Sequence, residues 1–187
     1  MRSVQRSMRG FTLVELMVTI AVFAILLMAS APSIGTWINN TRMRTVAQVL
    51  QDGVRLAQAE AVRRNRNVTF FLTNEQPALG AAAVANGVNW GIRTQPRLTG
   101  EAAEFIRGGA LTDVAAGVAI AGPAALCFGG AGPQVAVPAQ GCAVGATNYG
   151  ITRTGADRQL RVTVAIGGQV RMCDPDKTVS AANPDGC

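Results

Sequence analysis

Glu15 is the only charged residue in an apolar run that extends from Phe11 to Ile38. A charge at the centre of a membrane helix costs roughly 2.5–3.5 kcal/mol, and one retained inside a membrane-length segment marks a functional site by default. Just before it stand Gly10 and Phe11, at the end of a short basic leader, residues 1–10, that carries Arg2, Arg6 and Arg9. Pro32 lies further along the same run. Basic leader, glycine, aromatic residue and carboxylate therefore stand at fixed spacing at the head of an apolar helix.

Four cysteines, Cys127, Cys142, Cys173 and Cys187, all follow the apolar run. The excess of arginine in the leader keeps it cytoplasmic and sends the remainder across a membrane. There an even cysteine count reads as disulfides. Three pairings are open to four cysteines. Cys127–Cys142 with Cys173–Cys187 closes the shortest loops and is the one favoured, although sequence alone does not decide it. No C-x-x-C spacing supports zinc. The chain has no histidine, which excludes Ser-His-Asp and Cys-His catalysis and His-ligated metals. No phosphate- or dinucleotide-binding glycine pattern occurs; Gly129, Gly130 and Gly132 do not lie between a clear strand and a helix. The chain reads as no enzyme, with no cofactor and no metal.

The elements that position these residues follow from periodicity. Phe11 to about Arg66 reads as one long helix, about 84 Å at 1.5 Å per residue. Its first half is apolar all round and needs lipid or other subunits about it. In its second half Met43, Val46, Ala47, Leu50, Val54, Ala57 and Ala61 form one stripe at helical spacing. Arg44, Arg55 and Arg66 recur every eleven residues and read as a solvated opposite face. From Asn67 onward the pattern shifts to short β segments: 67–72, 88–93, 114–120, 126–128, 150–152 and 158–173. Glycine-, alanine- and proline-rich loops over 78–87 and 129–148 separate them. The last segment is a hairpin in which residues 166–168 turn the chain with a glycine bulge. That register sets Val164 opposite Val170, Val162 opposite Met172 and Thr163 opposite Arg171. The fold class is α+β, a long N-terminal helix packed on a C-terminal head of short antiparallel strands. The divisions are a leader over 1–10, a helix over 11–66 with 11–38 as its membrane or filament-core part, and a head over 67–187. Without the leader, 14 basic residues face 11 acidic ones, a surplus of about three charges that permits anionic partners without demanding them.

The segment Arg9-Gly10-Phe11-Thr12-Leu13-Val14-Glu15 resembles the class III signal of type IV prepilins and type II secretion pseudopilins. An ordinary secretory signal ending at Ala29-Ser30-Ala31 is the competing reading. Its apolar core would exceed the roughly 7–15 residues usual for one, and it leaves Glu15 without a reason. The resemblance implies cleavage by a prepilin peptidase between Gly10 and Phe11, methylation of the Phe11 amine, and a register role for Glu15. Pro32 falls where pilins often carry a helix-kinking proline. The block Ala57-Gln58-Ala59-Glu60-Ala61-Val62-Arg63-Arg64-Asn65 is similar to the helix end of the FimT, FimU and GspH group, with Gln58 and Ala59 where that group commonly has Arg and Ser. Gly168-Gln169-Val170-Arg171 resembles the Gly-Arg-x-Arg of FimT-like closing strands but lacks the first arginine. Arg161 and Arg171 are thus the candidate DNA contacts, disfavoured by Asp157, Asp174 and Asp176 nearby.

The resemblance implies a minor pilin of a type IV pilus that takes part in assembly priming and the tip complex. The alternatives are a GspH-like minor pseudopilin of a type II secretion system and a pilus-displayed DNA-binding subunit for DNA uptake. The expected partners are the prepilin peptidase, other minor pilins and the major pilin (or pseudopilins), and the inner membrane before assembly. The expected placement is single-pass, with a cytoplasmic N-terminus and a periplasmic head, and then the pilus or pseudopilus.

Overall fold

The computed structural model describes residues 11–98, 100–111 and 116–187, with the side chains of 29–33 outside that description. The expected leader, Gly10 included, lies outside the described residues. A long α-helix, α1 (Leu13–Arg64), runs 52 residues and includes position 32. The Pro32 side chain, expected to mark a kink, lies outside the described residues. Thr12 caps its start: the hydroxyl accepts from the Glu15 N–H at 3.2 Å, and the Glu15 carboxylate reaches back to the Thr12 N–H at 3.5 Å. This is a reciprocal capping box. Asn65 ends the helix in the left-handed conformation. Arg66 N–H donates to the Ala61 carbonyl and Asn65 N–H to that of Val62, which satisfies carbonyls the helix would otherwise leave open.

Among the described residues eight strands follow: β1 (Val68–Thr73), β2 (Asn89–Thr94), β3 (Phe105–Ala110), β4 (Val118–Ala121), β5 (Ala125–Phe128), β6 (Thr147–Arg153), β7 (Leu160–Val164) and β8 (Val170–Cys173). They make two four-stranded antiparallel sheets, ordered β3-β2-β1-β5 and β4-β6-β7-β8. The helical stripe from Met43 to Ala61 is fully buried. It packs on Phe70, Leu72, Trp90, Ile92 and Phe128 of the first sheet and on Tyr149, Ile151, Val162 and Val164 of the second. The helix therefore closes one core shared by both sheets. Gly53 sits in that stripe because a Cβ there would meet the Phe70 and Trp90 rings at 3.2 Å. A helical glycine costs about 1 kcal/mol relative to alanine, and here it lets two aromatic rings lie against the backbone. Strand β1 is buried along its whole length. Phe70 faces the helix, while Phe71 faces a smaller cluster with Ala81, Ala125, Cys127 and Cys142. There the Arg93 guanidinium lies 4.6 Å from the Phe71 ring centre.

The hairpin of β7 and β8 has the expected register: Val164 pairs with Val170, Val162 with Met172 and Thr163 with Arg171. Gly168 takes φ +87° in its turn, the glycine-bulge geometry. Other expectations shift. The segment expected at 114–120 forms a strand only from Val118, and residues 112–115 lie outside the description. The short strand expected at 150–152 extends over Thr147–Arg153. Strand β3, Phe-Ile-Arg-Gly-Gly-Ala, was not expected at all. Cys127 is bonded to Cys142 and Cys173 to Cys187. Each closes a loop of about 15 residues, which is worth roughly 3 kcal/mol in the chain-entropy account.

Candidate assembly surface

The N-terminal half of α1 stands clear of the head. Phe11, Leu13, Leu16, Ile20, Phe23, Leu26 and Leu27 are all exposed. Among the described residues no helix is long and apolar enough to cross a membrane; the described apolar run stops at Met28, where the gap in side-chain description begins. Glu15 is exposed at the head of this run. The bond that its carboxylate accepts from the Thr12 N–H, at 3.5 Å, is too long to hold the group firmly. The group remains able to take a cation.

The head meets the helix at Asn39 and Asn40. Asn39 donates to the Gly155 carbonyl at 3.1 Å and accepts from Arg153 Nε at 2.8 Å. Asn40 donates to Asp157 at 2.6 Å. Arg153 also donates to the Ala116 carbonyl. Nothing in the sequence periodicity marks Asn39 and Asn40, because their contacts with Arg153, Gly155 and Asp157 span more than a hundred positions. They fix the height at which the head leaves the helix.

At the far end of α1, Glu60 receives Arg63 at 2.6 Å and Arg64 at 2.7 Å, and Arg64 also reaches Glu104 at 2.5 Å. Hydrogen bonds from Arg63 and then Arg64 hold the Glu60 carboxyl down at about 2. Its contribution to stability is therefore complete above the ordinary carboxylate range and fades as pH falls toward 2. Arg66 departs from the solvated face expected for it. It lies past the helix end, half-buried, pairing with Glu101 at 2.5 Å and donating to the Gln95 carbonyl at 2.7 Å. Arg55 stays on the surface but donates to the Val170 carbonyl at 3.2 Å, which leaves only Arg44 of that series without a partner among the described residues.

The two sheets join within the segment 129–148, where the sequence predicts a loop. Buried Gln134 donates through its side chain to the Val164 and Ala165 carbonyls at 3.1 and 3.0 Å, and its N–H donates to Ile166 at 2.9 Å. Gln58 of the helix donates to the Gly132 carbonyl at 2.9 Å. This seam ties helix, the 129–134 loop and the hairpin turn together.

Arg171 is committed locally. It donates to the Pro184 and Gly186 carbonyls at 3.0 and 2.8 Å and so clamps the loop closed by Cys173–Cys187. Arg161 is half-buried and makes no ion pair among the described residues. The two candidate DNA contacts thus do not form a free basic patch. Among the described residues no group of three or more His, Cys, Asp or Glu side chains is arranged to hold a metal ion.

Comparison with known proteins matches residues 5–31 to the Prokaryotic N-terminal methylation motif and residues 46–168 to the Type II transport protein GspH. Among solved structures, the type IV minor pilin FimU of Pseudomonas aeruginosa aligns over 75% of this chain and 98% of its own, at 15% identity and TM-score 0.51. The minor pseudopilin EpsH from the Type 2 Secretion System of Vibrio cholerae aligns over 73% of this chain and 99% of its own, at 13% identity and TM-score 0.49. At such identities the likeness to FimU is one of fold. No curated protein matches the chain by sequence.

Proposed function

We propose, for a chain that belongs to the family of the type II transport protein GspH, that it is a minor pilin of a type IV pilus, acting in assembly priming and the tip complex. One observation carries the reading. A single continuous helix buries one half in the head and leaves the other half, apolar from Leu13 to Met28 except for Glu15 and Thr19, exposed. Such a half-helix is stable only inside lipid or among other helices. The chain then waits in the inner membrane, head outward, and moves from lipid into a helical filament core. Prepilin peptidase cuts between Gly10 and Phe11, and the new Phe11 amine is methylated. Glu15 neutralises the amine of a neighbouring subunit and so sets axial register. A charge buried without its partner costs several kcal/mol, which disfavours misregistered entry.

Intact-mass analysis of chain purified from piliated cells is expected to give a start at methylated Phe11. A start after Ala31 would return the segment to an ordinary secretory signal. The second reading, a minor pseudopilin of a type II secretion system, draws support from the description of the matched family. Deleting the gene is expected to reduce surface pili and leave exoprotein secretion unchanged. Lost secretion with normal piliation would put the second reading first. DNA uptake gains no support from the hairpin, because Arg171 already serves the C-terminal loop.

A further inference from the structure

We infer that Trp37 and Arg44 form an interfacial belt that seats the unassembled chain at the outer surface of a phospholipid bilayer, with Glu15 at the opposite surface. The inference rests on the membrane-anchored reading above. Trp37 is 68% exposed, whereas the other tryptophan, Trp90, is 6% exposed in the core. The head leaves Trp37 largely uncovered, and it makes polar contacts to the helix just beyond, at Asn39 and Asn40. An uncovered tryptophan at the end of an apolar helix fits one environment well, the layer between hydrocarbon and water, where its ring is amphipathic.

Spacing supports the placement. From Glu15 to Trp37 the helix rises about 33 Å at 1.5 Å per residue, and the hydrocarbon core of a bilayer is about 30 Å thick. No charge stands between them. With Trp37 at one boundary, Glu15 comes to the other, and the carboxylate stays wetted until a neighbouring amine replaces water. The high cost of a charge at the bilayer centre then does not arise before assembly.

The order of side chains on this face matches the layers of a membrane surface. At about 100° per residue, Ile34, Trp37, Thr41 and Arg44 fall within roughly 80° of one another. They run from apolar through aromatic and hydroxyl to cation. Arg44 is exposed and unpaired among the described residues. It lies about 10 Å beyond Trp37 along the axis. Side chains on a helix lean toward its N-terminus, here toward the bilayer, so a long guanidinium reaches back to lipid phosphate.

The test uses the full chain reconstituted in vesicles of phosphatidylethanolamine and phosphatidylglycerol that carry a nitroxide either near the headgroup or at the acyl terminus. Trp37→Phe supplies the background from Trp90. The Trp37 component is expected to be quenched at least about twofold more strongly by the shallow nitroxide than by the deep one, and Arg44→Glu is expected to weaken that shallow quenching. A chain that floats with the vesicles but shows no quenching, or deeper quenching, overturns the belt while the membrane reading stands. A chain that does not float overturns both. Trp37→Ala protein that partitions as tightly as wild type yet fails to enter filaments assigns this surface to a neighbouring subunit and also overturns the belt.

Discussion

Chain carrying Glu15→Val is expected to insert and fold like wild type and to be lost from filaments by about tenfold or more, since each 1.4 kcal/mol of mispaired charge is a factor of ten. The structure separates the two effects. Glu15 lies far down the helix from Asn39, which bonds to the head, and from the buried stripe that starts at Met43, so the head core does not sense it. Locally, valine removes the reciprocal half of the capping box with Thr12, an effect of about 1 kcal/mol confined to the helix start. On the proposed reading, the assembly effect comes instead from the neighbour's amine, left buried without a counter-charge. Glu15→Gln distinguishes them, because it keeps an acceptor for the Thr12 N–H while removing the charge. It is expected to fail in assembly nearly as badly as valine. The measurement is the ratio of sheared filament protein to membrane protein. Valine protein assembling as well as wild type would mean that Glu15 serves only as a helix cap.

What sequence disclosed and what it hid divide along contact distance. The stripe from Met43 to Ala61 was legible because a helix repeats its buried face every three or four residues, and each member is indeed buried. The register of β7 and β8 was legible because alternation on both strands and a glycine-bearing turn admit one pairing that keeps the faces unmixed. Strand β3 was hidden. Phe105-Ile106-Arg107-Gly108-Gly109-Ala110 shows no alternation and contains two glycines, so its propensity for β structure is low. It is a strand because β2 presents an edge to it. Arg66 misled for a related reason. Its eleven-residue spacing from Arg55 assumed that the helix continued, whereas Asn65 turns the chain into the left-handed conformation one residue earlier. Arg171 was legible as an exposed position opposite Thr163, but its engagement with Pro184 and Gly186 depends on where the Cys173–Cys187 loop folds back. Periodicity carries no information about such returns.

Gly168→Val is expected to destabilise the head by about 3 kcal/mol or more, combining the strain of a left-handed residue with overpacking. Gly168 is the one glycine of the resembled Gly-Arg-x-Arg pattern that this chain keeps, and its reason is geometric. Its φ is +87°, which L side chains rarely adopt, and a Cβ there would collide with the Gln58 side chain and the Gly132 carbonyl. Those two groups are themselves hydrogen-bonded at 2.9 Å. Relief of the collision by moving the turn would break that bond and pull Ile166 from the Gln134 N–H, at 2.9 Å in the native seam. Buried Gln134 would then lose partners in the second sheet, which is costly where water cannot replace them. The neighbouring Gly167 is the control. A Cβ there meets nothing within 4 Å, so Gly167→Ala is expected to stay within about 0.5 kcal/mol of wild type. Urea unfolding of the full chain in detergent, followed by far-ultraviolet circular dichroism, reads both variants. The midpoint should fall for Gly168→Val with an unchanged slope, the mark of lost stability rather than altered compactness. Equal midpoints for the two variants would show that the seam among Gln58, Gly132, Gln134 and the hairpin turn does not hold the sheets together.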